Sequence, residues 1–337
     1  MMHQLMGEKS VIAEYKRLWQ ARKWMKKNEP FLQVWHAHLG YSLDLFKAFE
    51  KPNDIHTIAN RYLYKEDLLK RWVEVGLAIG HLKEKRGKKI QSKKTMVVYF
   101  SKTSNQSVGI LLKEMMELHI PTLLTYRNLL QGDEIKILEE DIGHTVAETS
   151  GLLESVMFPK IVGVVKKQKV KRILDVGCGH GGYLHRLHKK FPDINLTGIE
   201  ADPDVQKKAL EKAKGTDISI IQADFMNYVD QDQYDLLMMN NLFYYFSFED
   251  RLQLFKRAKQ LLVKKGYLLI MSPLVSSKHG QRFASGFNSF MSAHEEMYPV
   301  PTEKELLSYA KQTGFIQLSC IPVIREGGWY VLVFKKK

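Results

Sequence analysis

Residues 171–204 read KRILDVGCGHGGYLHRLHKKFPDINLTGIEADPD, and this stretch decides the fold. An apolar strand, 173–176, runs into a turn with glycines at 177, 179 and 181 and then a helix, and a second strand ends on the acid Glu200. Glycines in such a turn let the backbone bend sharply and approach a ligand at contact distance, where a Cβ would collide. An acid closing the next strand suits two ribose hydroxyls. The pattern is that of a nucleoside-cofactor site.

Gly177, Gly179 and Gly182 also satisfy the dinucleotide spacing GxGxxG, a weak signal alone. Two features favour S-adenosylmethionine. Asp175, two residues before the first glycine, can meet a cationic amino-acid group, and a pyrophosphate would be repelled there. Residues 218–224, ISIIQAD, read as a third strand closing on Asp224, an acceptor for an adenine amino group. Phe225 either stacks on adenine or packs in the core. Asn240 and Asn241 end the fourth strand and are placed to hold the methionyl end of the cofactor or the substrate. A dehydrogenase, or a relic without cofactor, is the alternative.

A chain of 337 residues implies two domains, or one domain with a substantial cap. Its 45% apolar and 26% charged residues describe a soluble globule. The sequence has no run of about 18 apolar residues and the first residues lack a signal-peptide pattern, so the expected location is the cytoplasm and no membrane partner is expected. Cys178 and Cys320 have no zinc or disulfide spacing, and no metal is expected. The net charge of +14 is spread, densest over 82–94 (LKEKRGKKIQSKK) and 22–27. Such a surface suits an anionic substrate or nucleic acid, or is merely solvated.

Apolar positions at helical spacing run from Phe31 to beyond Trp72, with a helix stop and cap at Pro52, Asn53 and Asp54. A short strand, a basic turn at 86–88 and a second strand over 95–100 follow, and three helices with such a hairpin make a winged helix. The third-helix stretch, 65–79, carries Trp72, Val73, Val75, Leu77 and Ile79, which favours packing over base reading. Residues 107–165 read as helices, with Met157 where a substrate roof would lie. From 170 onward strands at 171–176, 195–200, 218–222, 234–240 and 266–272 alternate with helices near 181–190, 203–214, 248–263 and 302–312, and a hairpin of 315–322 and 329–334 closes the chain. The expected fold is α/β: a seven-stranded doubly wound, Rossmann-like sheet with an all-helical, winged-helix N-terminal domain. The expected domains are 1–105, a helical linker and cap over 106–165, and a cofactor-binding domain over 166–337. The long connection 273–301 is read as a lid or pocket wall, or else as a surface helix.

Taken together, LLTYRNLLQGDE (123–134), LDVGCGHGG (174–182), TGIEADP (197–203), IQADF (221–225), YDLLMMNNLFYYFSFEDRLQLFKRAKQLL (234–262) and KKGYLLIMSP (264–273) resemble the class I S-adenosylmethionine-dependent small-molecule O-methyltransferases with an N-terminal winged-helix dimerisation domain. The resemblance implies a homodimer that binds cofactor through Asp175, Gly177, Gly179, Gly181, Glu200, Asp224, Phe225 and Asn240. Many members carry a catalytic histidine where this chain has Tyr244. A phenol of pKa near 10 is a poor base at neutral pH, so Tyr244 or Tyr245 is expected to orient the substrate while another group takes the proton. His294 is one candidate, with His144 and His279; His185 and His188 are read as lying on the exposed side of their helix. Oxygen and carbon acceptors both stay open: a phenol, a carboxylic acid or a 2-oxo acid. An anionic one would use Arg127, Arg282 or Arg325. Asn240 and Phe243 echo the N-P-P-F/Y motif of amino-group methyltransferases without its prolines. A nucleic-acid methyltransferase using the basic wing, and a non-catalytic regulator that keeps the pocket, are the other classes.

Overall fold

The computed structural model describes the backbone of residues 2–133, 140–230 and 233–337, and the side chains of residues 11–133, 149–230 and 233–337. It divides into two compact units, Met1–Leu118 and His119–Lys337.

The first unit opens with α1 (Met2–Ser42), which begins well before the apolar pattern does. Its residues 11–33 are exposed throughout. Next come α2 (Leu45–Ala48), α3 (Ile55–Tyr62) and α4 (Glu66–Ala78), packed around Phe46, Phe49 and Trp72. Asp54 caps α3, its carboxylate accepting from the Thr57 amide at 2.7 Å. Strands β1 (Leu82–Lys85) and β2 (Lys89–Ser92) form an antiparallel hairpin around 86–88.

One expectation is corrected here. Residues 95–100 are not the second strand of the hairpin but belong to a helix, α5 (Lys94–Phe100). Ile90 already exchanges both backbone hydrogen bonds with Asn53, and the Ser92 amide donates to the Phe49 carbonyl, so the strand ends there. Met96 and Phe100, four apart, then pack on one core, a context that overrides the strand preference of the two valines. Helix α6 (Gly109–Glu114) follows.

The second unit begins with α7 (Ile120–Leu124), α8 (Tyr126–Leu130) and α9 (Glu140–Gln168). Then come β3 (Arg172–Val176), α10 (Gly182–Lys190), β4 (Asn195–Glu200), α11 (Pro203–Ala213), β5 (Ser219–Gln222), β6 (Tyr234–Asn240), α12 (Phe248–Leu261) and β7 (Leu262–Pro273). The chain closes with α13 (Gln281–Met291), α14 (Glu303–Thr313), β8 (Phe315–Ile324) and β9 (Trp329–Lys336). One seven-stranded sheet results, in the order β5-β4-β3-β6-β7-β9-β8. The first five strands are parallel, and β9 inserts antiparallel to both β7 and β8. This is the doubly wound, Rossmann-like sheet expected from the sequence. Strand order reverses between β3 and β6, and ligands of such sheets bind beyond the carboxyl ends at that point.

Both faces of the sheet are covered. One core includes Leu174, Val176, Phe243, Phe255 and Phe334; the other includes Met157, Ile173, Leu236, Leu269 and Val331. The 273–301 connection contains α13, seated by Ala284, Phe290 and Met291. Gly280, at φ 73°, starts it; a Cβ there would lie 2.0 Å from the Gly328 amide nitrogen, so only glycine lets this helix start touch the β8–β9 turn. Among the described residues no helix is long and apolar enough to cross a membrane.

Candidate cofactor and acceptor site

The registers Val176–Ile199, Val176–Met239 and Glu200–Gln222 bring the carboxyl ends of β3, β4, β5 and β6 to one edge of the sheet. Gly177, Gly179 and Gly181 all take positive φ, 64°, 55° and 70°, so the loop is built on conformations that other residues rarely adopt. Glu200 organises this loop from the next strand. Its carboxylate accepts from the Gly179 amide at 2.9 Å and from the Asp202 amide at 3.1 Å, leaving further lone pairs for a ligand. Asp224 is exposed and accepts from the Met226 amide at 2.9 Å and from Asn227 Nδ2 at 2.8 Å.

Asp175 is the most unusual group here. It is 1% exposed, and Asn240 Nδ2 donates to its Oδ1 at 3.0 Å. Its Oδ2 and the Asn240 Oδ1 are buried with no hydrogen-bond partner. Burial, then the charge of Glu154, pushes the Asp175 carboxyl up to about 8; the Asn240 hydrogen bond works against this, and Glu200 adds to it. Two orphaned acceptors at the switch point call for a ligand with several donors and positive charge. The amino-acid end of S-adenosylmethionine fits that demand.

Glu154, on α9, went unnoticed in the sequence. An ideal Cβ on Gly182 would lie 1.8 Å from Glu154 Oε1, so the carboxylate rests on the first residue of α10. A dinucleotide phosphate would seek this helix start. The chain's own anion already stands there.

Phe225 is 4% exposed and packs within the sheet core, and Met157 is fully buried in the opposite core. Tyr244 is 6% exposed, in the turn after β6, with ring centroids 4.9 Å from Tyr245 and 5.6 Å from Phe287. Phe287 in turn lies 5.8 Å from Trp329, whose Nε1 donates to Asn241 Oδ1 at 2.9 Å. Asn241 holds φ 53°, and its amide donates to the Met271 carbonyl at 2.7 Å. Tyr245 is 43% exposed. His294 is buried, its Nδ1–H donating to the Phe290 carbonyl at 2.8 Å. His119, also missed in the sequence, lies 4.2 Å from the Phe290 ring. Arg127, Arg282 and Arg325 are all exposed, His185 and His188 are half-buried, and the His144 side chain lies outside the described residues. Arg251 is fully buried instead: it donates to the Phe243 and Phe246 carbonyls at 2.9 and 3.1 Å, to the Pro299 carbonyl, and to Glu305 at 2.8 Å. It fastens the Tyr244 turn to the segment after α13 and to α14. No sequence motif announced this role; a lone arginine in an amphipathic helix gives no signal.

A family model described as a methyltransferase domain matches residues 145–319. The chain belongs to that family. The chain is 31% identical over 94 residues to the cyclopropane-fatty-acyl-phospholipid synthase of Escherichia coli K12, across 27% of its own length and 24% of the synthase. It is 26% identical over 114 residues to a trans-aconitate 2-methyltransferase of Escherichia coli O139:H28, across 34% of its length and 44% of that enzyme. The matches thus span less than half of these curated relatives. Among solved structures, an O-methyltransferase family protein from Burkholderia thailandensis superposes with TM-score 0.79 at 14% identity, covering 94% of this chain and 98% of that one. Human N-acetylserotonin methyltransferase in complex with SAM superposes with TM-score 0.78 at 14% identity, covering 94% and 97%. At such identity the likeness is one of fold.

Proposed function

We propose that this methyltransferase moves a methyl group to an oxygen or carbon of a small, flat metabolite. Its donor is S-adenosylmethionine. When bound, that cofactor supplies an electrophilic methyl on a sulfonium that is its own leaving group. The chain's residues need only hold the donor, orient the acceptor, exclude water and, for a protonated acceptor, take a proton.

The observation that carries this reading is the orphaned pair Asp175 Oδ2 and Asn240 Oδ1 at the switch point. We assign them to the α-ammonium of the donor, Glu200 to its ribose, Asp224 to its adenine, and Gly177, Gly179 and Gly181 to close backbone approach. The rings of Tyr244, Tyr245, Phe287 and Trp329 support a flat acceptor beside them. Tyr244 is an orienting group in this assignment, and His294 or His119 takes the proton. The exposure of Arg127 and Arg282 favours a phenol over a carboxylic or 2-oxo acid. Residues 1–105 serve self-association: Tyr15, Leu18, Trp19, Trp24 and Met25 of α1 are exposed, and a second copy would cover them.

Titration with S-adenosylhomocysteine tests the assignment. Glu200→Ala and Asp224→Ala should each weaken binding by about tenfold, about 1.4 kcal/mol; two variants that bind like the parent would refute it. A nucleic-acid acceptor is the second reading, favoured by the exposed Lys83, Lys85, Arg86, Lys88 and Lys89 of the hairpin. Affinity for DNA or RNA that falls steeply with salt would support it.

A further inference from the structure

The α9 carboxylate has poor company for a group so little exposed. Its side chain is 19% exposed, and its cation partner, Arg186 Nε, stands off at 3.4 Å. Burial raises the Glu154 carboxyl above its ordinary range, while Lys212 and Arg186 only partly offset this. It lies on Gly182, at the start of the helix that follows the glycine loop, and its charge is felt by Asp175. Two weakly satisfied carboxylates beside one loop destabilise each other unless something positive comes between them. The Asp175 Oδ2 and Asn240 Oδ1 are acceptors awaiting donors, and Glu154 adds negative charge. A primary ammonium brings three N–H donors and one positive charge.

We infer that Glu154 is a specificity-determining residue of the donor site, which together with Asp175 recognises the α-ammonium of the cofactor's amino-acid end. This rests on the assignment of the loop to S-adenosylmethionine. Glu154 selects by charge: a ligand with a cationic group at the loop gains from it, and one with a phosphate there meets its repulsion. The glycine at 182 acquires a reason apart from backbone freedom, since any side chain would push the carboxylate off its seat.

Calorimetric titrations with two ligands test this. S-adenosylhomocysteine carries the amino-acid end, and 5′-methylthioadenosine carries the same nucleoside without it. In Glu154→Gln, S-adenosylhomocysteine should bind about tenfold or more weakly, while 5′-methylthioadenosine stays within about twofold of the parent. That neutral ligand also reports that the pocket is folded. Gly182→Ala should displace Glu154 and reproduce the loss, and the double variant should be little worse than either single one, because both remove the same interaction. A Glu154→Gln protein that binds S-adenosylhomocysteine within about threefold of the parent, or that loses both ligands alike, overturns the inference. A parent protein that binds neither ligand overturns the cofactor assignment itself, and the inference with it.

Discussion

The two halves of the site are held by different forces. On the proposed donor side, three glycines take positive φ, Glu200 accepts from the Gly179 and Asp202 amides, and Asp175 accepts from the Asn240 side chain, so polar contacts fix the loop. On the proposed acceptor side, Tyr244, Phe287 and Trp329 meet through ring packing between the β6 turn, α13 and β9, in contacts that each span more than 40 positions, and His294 packs on Phe290 of the same helix. The first side is specified by a motif, because one ligand has to be met in one way. The second is specified by volume, and many side chains can fill a given volume. A fold of this kind can therefore keep its donor while its acceptor changes.

The largest expected effect comes from a fully buried polar rivet on the acceptor side. Arg251 is fully buried and serves three carbonyls and Glu305. Arg251→Met would take the buried donor from the Phe246 and Pro299 carbonyls and the cation from Glu305, at a cost of about 3–5 kcal/mol. Thermal unfolding followed by circular dichroism should show a clear drop in Tm. A variant that melts with the parent would mean that ring packing and the Tyr298 amide bond to the Tyr244 carbonyl hold the turn without it.

This division also explains what the sequence disclosed. Strand after strand from 171 onward was legible because buried parallel strands are short apolar runs bounded by turns, and Glu200 closes one of them. The error at 95–100 arose where a β-branched run lay next to a hairpin whose far edge was taken by Asn53. Glu154 escaped because its role depends on a helix lying over Gly182, a contact across 28 positions that no local spacing encodes. Trp329 and His119 escaped for the same reason: each acquires its meaning only when α13 is in place. Phe225 and Met157 illustrate the reverse limit, since an apolar residue beside a motif reads alike as ligand contact or as core.

A smaller effect, on the donor side, depends on pH. The Asp175 carboxyl is held near 8 in the folded chain, against about 4 when unfolded. The folded state keeps a proton that the unfolded chain has released, so this group's contribution to stability is fully present below about pH 4 and is lost as pH rises through about 8. Ligand binding runs the other way. An ammonium requires the carboxylate, so S-adenosylhomocysteine should expel a proton near neutral pH and bind up to about tenfold more tightly per pH unit toward 8. Calorimetry in buffers of different ionisation enthalpy would detect the proton. Asp175→Asn should bind weakly and with a flat profile; a parent protein whose affinity does not change between about pH 6.5 and 8 would show that Asp175 does not titrate on binding.

The smallest effect is the sharpest probe of whether the two sides are independent. Trp329→Phe keeps an aromatic ring against Phe287 but removes the donor to Asn241 Oδ1. An amide oxygen losing its partner costs about 1–2 kcal/mol, which a modest fall in Tm should register. Asn241 sits in the left-handed region next to Asn240, whose amide holds Asp175. If the Met271 carbonyl suffices to hold that backbone, S-adenosylhomocysteine should bind Trp329→Phe within about twofold of the parent. A loss of about tenfold would instead show that strain at Asn241 reaches the donor through Asn240. The acceptor wall and the donor loop would then be one device, and a change of acceptor during evolution would have to be compensated at the cofactor.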